Sequence, residues 1–289
     1  MYTMNDYSTA RKAEDYVNAI AIWDALAPRI RENELRLAGD SYNPGLPAIF
    51  SSFMPKSGGT FLYNRMIQSV GYRHFHWGIT KSNSLSEFYP TPASIVSYAT
   101  GGFFSHTHAL PSPYFKMVTK AQNVGPIWIH VRNPCEVSLA AFFHYRGAGQ
   151  GTGKVGEARV AAIATEKQYL EAKHGYSFDD WNQFFGSNIV FSLGWLQQWV
   201  SYAEETPGAA FFTYFDELAD VPKLFDRVFR QYGYGISFDK IDDILPDDRR
   251  RTDGQYDWRE GLSPEMLEIA DTVETVWKRA LALRNPAGS

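Results

Sequence analysis

The chain has 289 residues, 44% hydrophobic and 21% charged, with a formal net charge of -4 and a single cysteine. A chain of this length buries roughly 75% of its unfolded surface, and 16% aromatic residues argue against disorder. The acidic balance excludes general attraction to nucleic acid or anionic membranes; a lone thiol, Cys135, excludes an intramolecular disulfide and a thiolate zinc site, as expected in a reducing compartment.

In chain order, residues 1–15 lack an apolar signal core, and no later run approaches the ~20 apolar residues of a membrane span, so a soluble, cytoplasmic protein is expected. From Ser8 to Leu37, Val17, Ile20, Ile22, Leu26, Ile30 and Leu35 recur at helical spacing, and Pro28 divides them into one kinked helix or two short ones. The breaker cluster Asn43, Pro44, Gly45 and Pro47 precedes a strand over Ala48–Met54. Lys56–Thr60 then forms a glycine-containing loop, and Phe61–Val70 has the spacing of one helical face.

A second strand is predicted over Pro126–Val131, with Arg132, Asn133 and Pro134 at its end and a helix from Glu136 to Tyr145. Five glycines between Gly147 and Gly156 predict a mobile loop before a helix over Glu157–Lys173. A third strand, Ala209–Phe215, leads through Asp216 and Glu217 to a helix from Val221 to Tyr232, and the polar tail 284–289 is expected to fray. Strands alternating with helices predict an α/β fold, a largely parallel sheet with helices on both faces. One domain over 1–289 is expected, with residues 1–40 as a helical N-terminal extension. Ligands of such sheets bind at the carboxyl ends of the strands, which places Lys56–Thr60, Arg132 and Asp216 on one rim.

Between a strand and a helix, Gly58 and Gly59 let the Lys56–Thr60 backbone turn N–H groups toward an anion, and the helix start adds partial positive charge. The segment reads as a phosphate cradle or, alone, as an ordinary strand-to-helix turn. Lys56 precedes the glycines, whereas nucleoside triphosphate loops place Lys after them. The run Gly149–Lys154 imitates such a loop, but Val155 follows it and no strand precedes it. Two His-x-His pairs, His74/His76 and His106/His108, have no adjacent carboxylate, so no metal is expected. Cys135 is either a thiolate at a helix start or a small packed residue.

Pro55-Lys56-Ser57-Gly58-Gly59-Thr60-Phe61 resembles the P-K-S-G-T-T-W loop of sulfotransferases that use 3′-phosphoadenosine 5′-phosphosulfate (PAPS), and Arg132-Asn133-Pro134 resembles their second signature. The family's Ser falls eight residues after that Arg, at Ala140 here; Ser138 lies two residues earlier. Phe215-Asp216-Glu217-Leu218 resembles the family's Y-E-D-L, and Trp181–Trp199 its tryptophan-bearing helix. Arg251 to Trp258 is similar to R-K-G-x-x-G-D-W, with Arg251, Asp257 and Trp258 matching. Ser105-His106-Thr107-His108-Ala109-Leu110-Pro111 resembles K-T-H-L-P with one insertion, so His106 stands where the family has Lys.

The resemblance covers most of the chain and implies a P-loop-like fold and in-line transfer of a sulfuryl group from PAPS to a hydroxyl or amine of a small molecule. In that scheme His108 is the base, a role suited to imidazole near neutral pH. Lys56 and the amides of Ser57, Gly58, Gly59 and Thr60 hold the 5′-phosphosulfate, and Phe61 stacks on adenine. Arg132, Ser138 and Arg251 hold the 3′-phosphate; the product is adenosine 3′,5′-bisphosphate, and the scheme requires no metal. Phe75, Trp77, Phe103, Phe104, Phe142, Phe143 and Tyr145 form a pool for the acceptor pocket, with residues 147–156 as its lid. Absence of a membrane anchor resembles the soluble small-molecule branch, including bacterial enzymes of secondary metabolism. Thr272-Val273 lacks the flanking Lys and Glu of that branch's dimer motif, which leaves the oligomeric state open. Neither nucleic acid nor membrane is expected as a partner. The alternatives are an ATP-dependent small-molecule kinase of related fold and a catalytically inactive nucleotide-binding module.

Overall fold

The computed structural model describes residues 45–74, 101–121, 124–145, 180–235 and 257–284, together with scattered positions between 2 and 29. In chain order its elements are β1 (Ile49–Phe53), α1 (Gly59–Arg65) continuing into a wider turn over Met66–Val70, β2 (Arg73–His74), β3 (Phe103–Thr107) and α2 (Pro113–Ala121). They continue with β4 (Ile127–Val131), α3 (Pro134–Tyr145), α4 (Trp181–Glu205), β5 (Ala210–Tyr214), a 3-10 turn over Phe215–Ala219, α5 (Val221–Gln231) and α6 (Pro264–Ala282). Contacts group the chain into two compact units: Met1–Phe53, Gly58–His130 and Ser201–Asp242 form the first, Met54–Ser57, Val131–Val200 and Asp243–Ser289 the second.

The first unit is built on one sheet in the order β2-β3-β1-β4-β5, and the β2–β3, β3–β1 and β1–β4 pairings are all parallel. Because strand side chains alternate, Ile49, Phe53, Phe104 and Trp128 share one face. There they join Leu62 and Met66 of α1 with Leu224, Phe225 and Val228 of α5 in a continuous apolar core. On the opposite face Phe50 of β1 meets Phe115 of α2, ring centroids 5.3 Å apart. Burial on both faces explains why β1 and β4 are buried at every residue. The fold is α/β, a parallel sheet with helices on both faces.

Predicted strands over 48–54, 126–131 and 209–215 fall on β1, β4 and β5, and the helices predicted after them fall on α1, α3 and α5. α3 starts two residues before the predicted Glu136, for a reason visible at its cap. The Asn133 side-chain oxygen accepts from the Cys135 N–H (2.9 Å) and Pro134 occupies the first helical position. In the N-terminal segment Ile22 and Leu26 are buried, but Val17, expected on the same apolar face, is 83% exposed. Residues 30–44, the glycine-rich stretch 147–156, residues 157–173 where a helix is predicted, and the tail from 285 lie outside the described residues.

The second unit packs α3 against α6 and α4. Cys135 and Leu139 of α3, Phe185 and Ile189 of α4, Ala270 and Val273 of α6, and Trp258 form its main core. Phe185 and Trp258 stack with ring planes 2° apart. A smaller cluster joins Ala141 and Phe142 of α3 to Phe184 of α4, with Trp181 and Tyr145 packed on its edge. Among the described residues no helix is long and apolar enough to cross a membrane.

Candidate functional site

In the first unit, α1 begins directly after the loop that follows β1. Gly58 caps it in a left-handed conformation (φ 91°) and its carbonyl accepts the first helical bond, from the Leu62 N–H (3.1 Å). A Cβ at Gly58 would stand 2.6 Å from Leu218 Cδ1 and 3.6 Å from the Phe215 ring. The Phe215-Asp216-Glu217-Leu218 turn after β5 therefore backs the loop, and the left-handed backbone angle is what favours glycine there. Gly59 is tight for another reason: a Cβ there would lie 2.8 Å from His106 Nε2 and 3.0 Å from the Phe53 ring. Thr60 is exposed, and Phe61, partly buried, lies under the Arg65 guanidinium at 5.3 Å. First-turn amides of a helix have no acceptor within it, so Gly59 and Thr60 present donors at this end.

His108 follows β3, beside the carboxyl end of β1. Its Nδ1 lies 2.6 Å from the Phe53 carbonyl. A carbonyl only accepts, so Nδ1 carries the proton and donates it, which leaves Nε2 as the basic nitrogen. The His106 and His108 rings meet edge-on with centroids 5.5 Å apart, and His106 also lies between Phe53 (5.3 Å) and Tyr63 (5.6 Å). His130, buried at the end of β4, pairs through Nδ1 with the Thr213 hydroxyl (2.7 Å), which also accepts from Trp128 Nε1 (2.7 Å). Sequence reasoning overlooked this histidine; its signal, a polar residue within an apolar strand, is readable only once the neighbouring strand is known.

In the second unit, Lys56 has the only positive φ (59°) of any described residue other than glycine. Its ammonium lies 5.7 Å from the centre of the Tyr145 ring. Ser57 is buried, and its N–H and hydroxyl both donate to the Met54 carbonyl (3.2 and 2.6 Å), closing the turn on itself. Arg132, its side chain 8% exposed, donates from Nε to Glu136 one helical turn on (2.9 Å). The Asn133 amide donates to Glu274 of α6 (3.2 Å), so the Asn of the R-N-P segment is a cap and a brace. Ser138 is fully buried, 3.0 Å from both the Pro134 carbonyl and the Asn188 side-chain oxygen. Burial, with a smaller contribution from Glu274, pushes the Cys135 thiol up to about 12, so it is the packed residue and not a helix-start thiolate. Arg251, Phe75, His76 and Trp77 lie outside the described residues. Of the remaining aromatic pool, Phe103 and Phe104 belong to the sheet's interior and Phe142 to the core of the second unit.

Among the described residues no group of three or more His, Cys, Asp or Glu side chains is placed to hold a metal ion. No protein-family model matches the chain, and no curated protein matches it in sequence. Among solved structures it is similar to a mouse sulfotransferase, SULT7A1, complexed with PAP. The identity is 18%, over 84% of this chain and 87% of that one, with a TM-score of 0.42. It is also similar to a sulfotransferase from Alicyclobacillus acidocaldarius, at 13% identity over 86% of this chain and 82% of that one, with a TM-score of 0.34. Likenesses this distant decide neither activity nor residue roles, which rest on the chain's own side chains.

Proposed function

We propose that the chain transfers a sulfuryl group from PAPS to a hydroxyl or amine of a small molecule by in-line displacement. The observation that carries this reading is the His108 imidazole, held by the Phe53 carbonyl so that Nε2 is the basic nitrogen. It stands beside the strand whose end opens into the Lys56–Thr60 loop. His108 Nε2 takes the proton from the acceptor as the new S–O or S–N bond forms. As the bond from sulfur to the bridging oxygen breaks, Lys56 neutralises the charge growing on that oxygen of the departing adenosine 3′,5′-bisphosphate. Of the Ser57–Thr60 amides, the Ser57 N–H already donates to the Met54 carbonyl, and those of Gly59 and Thr60, at the start of α1, add donors for the 5′-phosphate. Arg132 and Arg251 select the 3′-phosphate, for which a guanidinium is better suited than a lysine point charge, and the bond from Nε to Glu136 orients Arg132. Ser138, buried against Asn188, supports α3, the helix that follows Arg132. Acceptor identity is a small molecule met by aromatic surface, and the scheme asks for no metal.

A thermal-shift comparison separates this reading from a kinase. At 100 times its dissociation constant a ligand stabilises by about 2.7 kcal/mol, so adenosine 3′,5′-bisphosphate is expected to raise the midpoint more than ATP with magnesium does. The opposite ranking makes the sulfuryl-transfer reading wrong. Transfer from PAPS to a panel of hydroxylated and aminated acceptors separates it from an inactive module. His108→Ala is expected to lose about 10²- to 10⁴-fold in turnover while keeping its affinity for the bisphosphate. Unchanged turnover removes His108 from the base role.

A further inference from the structure

The tyrosine at the end of α3 has a place that its membership of an acceptor pool does not explain. Lys56 leaves the loop from a left-handed backbone, a conformation that fixes the direction of its Cβ. Three flexible carbons still separate that Cβ from the charge, and a lysine chain unrestrained in water samples many rotamers. Its ammonium instead lies over the Tyr145 ring, 5.7 Å from the centroid, within the range in which the negative face of a ring attracts a cation. The ring is itself anchored: Tyr145 packs on the cluster of Phe142 and Phe184, with Phe142 5.0 Å from Trp181 and 5.5 Å from Phe184, and it meets His144 edge-on at 5.1 Å.

We propose that Tyr145 is a positioning residue for Lys56: its ring face, anchored in the α3–α4 aromatic cluster, holds the ammonium in the orientation from which it meets the anionic donor. The kinetic consequence rests on the sulfuryl-transfer reading; the contact does not. A ring that restricts the ammonium beforehand lowers the entropy lost when Lys56 engages the departing oxygen. Its removal then lowers kcat without weakening acceptor binding, whereas loss of an acceptor-pocket wall raises the acceptor KM.

Two measurements on the full chain decide it. Reductive methylation with labelled formaldehyde keeps the lysine charge, and the Lys56 dimethylammonium signal is identified as the one missing from Lys56→Arg. Over a ring face that signal is shielded. It is expected to stay shielded in Tyr145→Phe and to move to the value of exposed lysines in Tyr145→Leu. A Lys56 signal unmoved by Tyr145→Leu overturns the proposal, whether or not the chain transfers sulfate. In the second, Tyr145→Leu is expected to lower kcat about two- to fivefold with the acceptor KM unchanged, and to cause no further loss in a Lys56→Met background. An equal loss in both backgrounds, or a raised acceptor KM, shows that the ring acts elsewhere and overturns it. A chain that transfers nothing from PAPS defeats the functional reading, and the spectroscopic measurement still decides the contact.

Discussion

Gly58 and Gly59 occupy adjacent positions and are required for different physical reasons. At Gly58 the obstacle is chiefly the backbone: φ is 91°, and the nearest atom to an added Cβ is the end of the flexible Leu218 side chain, which can swing aside. Gly58→Ala should cost about 1–2 kcal/mol from the left-handed conformation, with little relief from shortening Leu218. Gly59 has no unusual φ, but its Cβ would meet two ring side chains, His106 and Phe53, that have little room to shift. Overpacking of that kind costs about 1–3 kcal/mol. Urea midpoints of Gly59→Ala, His106→Ala and the double variant check this, since His106→Ala should remove part of the Gly59→Ala penalty and none of the Gly58→Ala penalty. Strictly additive losses would show that His106 does not press on Gly59. The sequence marked the glycine pair as the turn between a strand and a helix. That it receives His106 on one side and Phe215 with Leu218 on the other was not legible, because those partners come from distant strand ends. Cys135 shows the same limit: the sequence left thiolate and packed residue open, and burial decided between them. A thiol pushed up to about 12 stays protonated at pH 8, so Cys135 should resist a thiol reagent in the native protein and react on unfolding.

Helix α3 shows how an element's start is set by chemistry rather than by apolar spacing. Hydrophobic periodicity placed its beginning at Glu136, but Asn133 caps it and Pro134 supplies the first helical φ, so the helix opens two residues earlier. Asn133 also braces Glu274 of α6. Losing both bonds in Asn133→Ala should cost about 1–2 kcal/mol. In Asn133→Ser the cap oxygen returns without the amide, and about half of the loss should be recovered; chemical denaturation of the two variants measures it. Recovery of nothing would assign the whole effect to the Glu274 contact. Strands β1, β4 and β5 were legible because prolines or glycines bound short apolar runs that are buried on both faces. β3 was not placed: Ser105, His106 and Thr107 break its apolar pattern, although the strand lies inside the sheet. β2, two residues long, offers no pattern at all. α6 carried a readable start, Ser263 accepting from the Met266 N–H (3.3 Å) with Pro264 behind it, and its buried Ala270, Val273, Val276 and Ala280 lie at helical spacing.

At the scale of the molecule, both units are assembled from interleaved stretches of chain, so no single cut yields either one whole. Stability is therefore best read on the full chain, and its alkaline limit follows from buried acids that the fold keeps protonated. In the first unit the Tyr72 hydroxyl donates to the Pro47 carbonyl (2.8 Å) and the Tyr232 hydroxyl to the Pro126 carbonyl (2.7 Å). Burial raises both phenols well above their ordinary value, and for Tyr72 the neighbouring Tyr232 and Tyr234 add to the effect. In the second unit Cys135 is held up to about 12. Each group is neutral in the fold and gives up its proton more readily when unfolded. Its contribution is complete below the unfolded value, 9.0 for the thiol and 10.0 for the phenols, and is lost as pH rises beyond it. Each fully shifted group tilts the balance by about 1.4 kcal/mol per pH unit in that window. Urea midpoints should therefore hold level to about pH 9 and then fall with increasing slope as the phenols join the thiol. Tyr72→Phe and Tyr232→Phe remove the ionisable oxygen along with one hydrogen bond each. They should begin less stable at pH 8 and lose less than the parent between pH 9 and 11. Equal slopes in parent and variants would show that these two phenols do not set the alkaline limit.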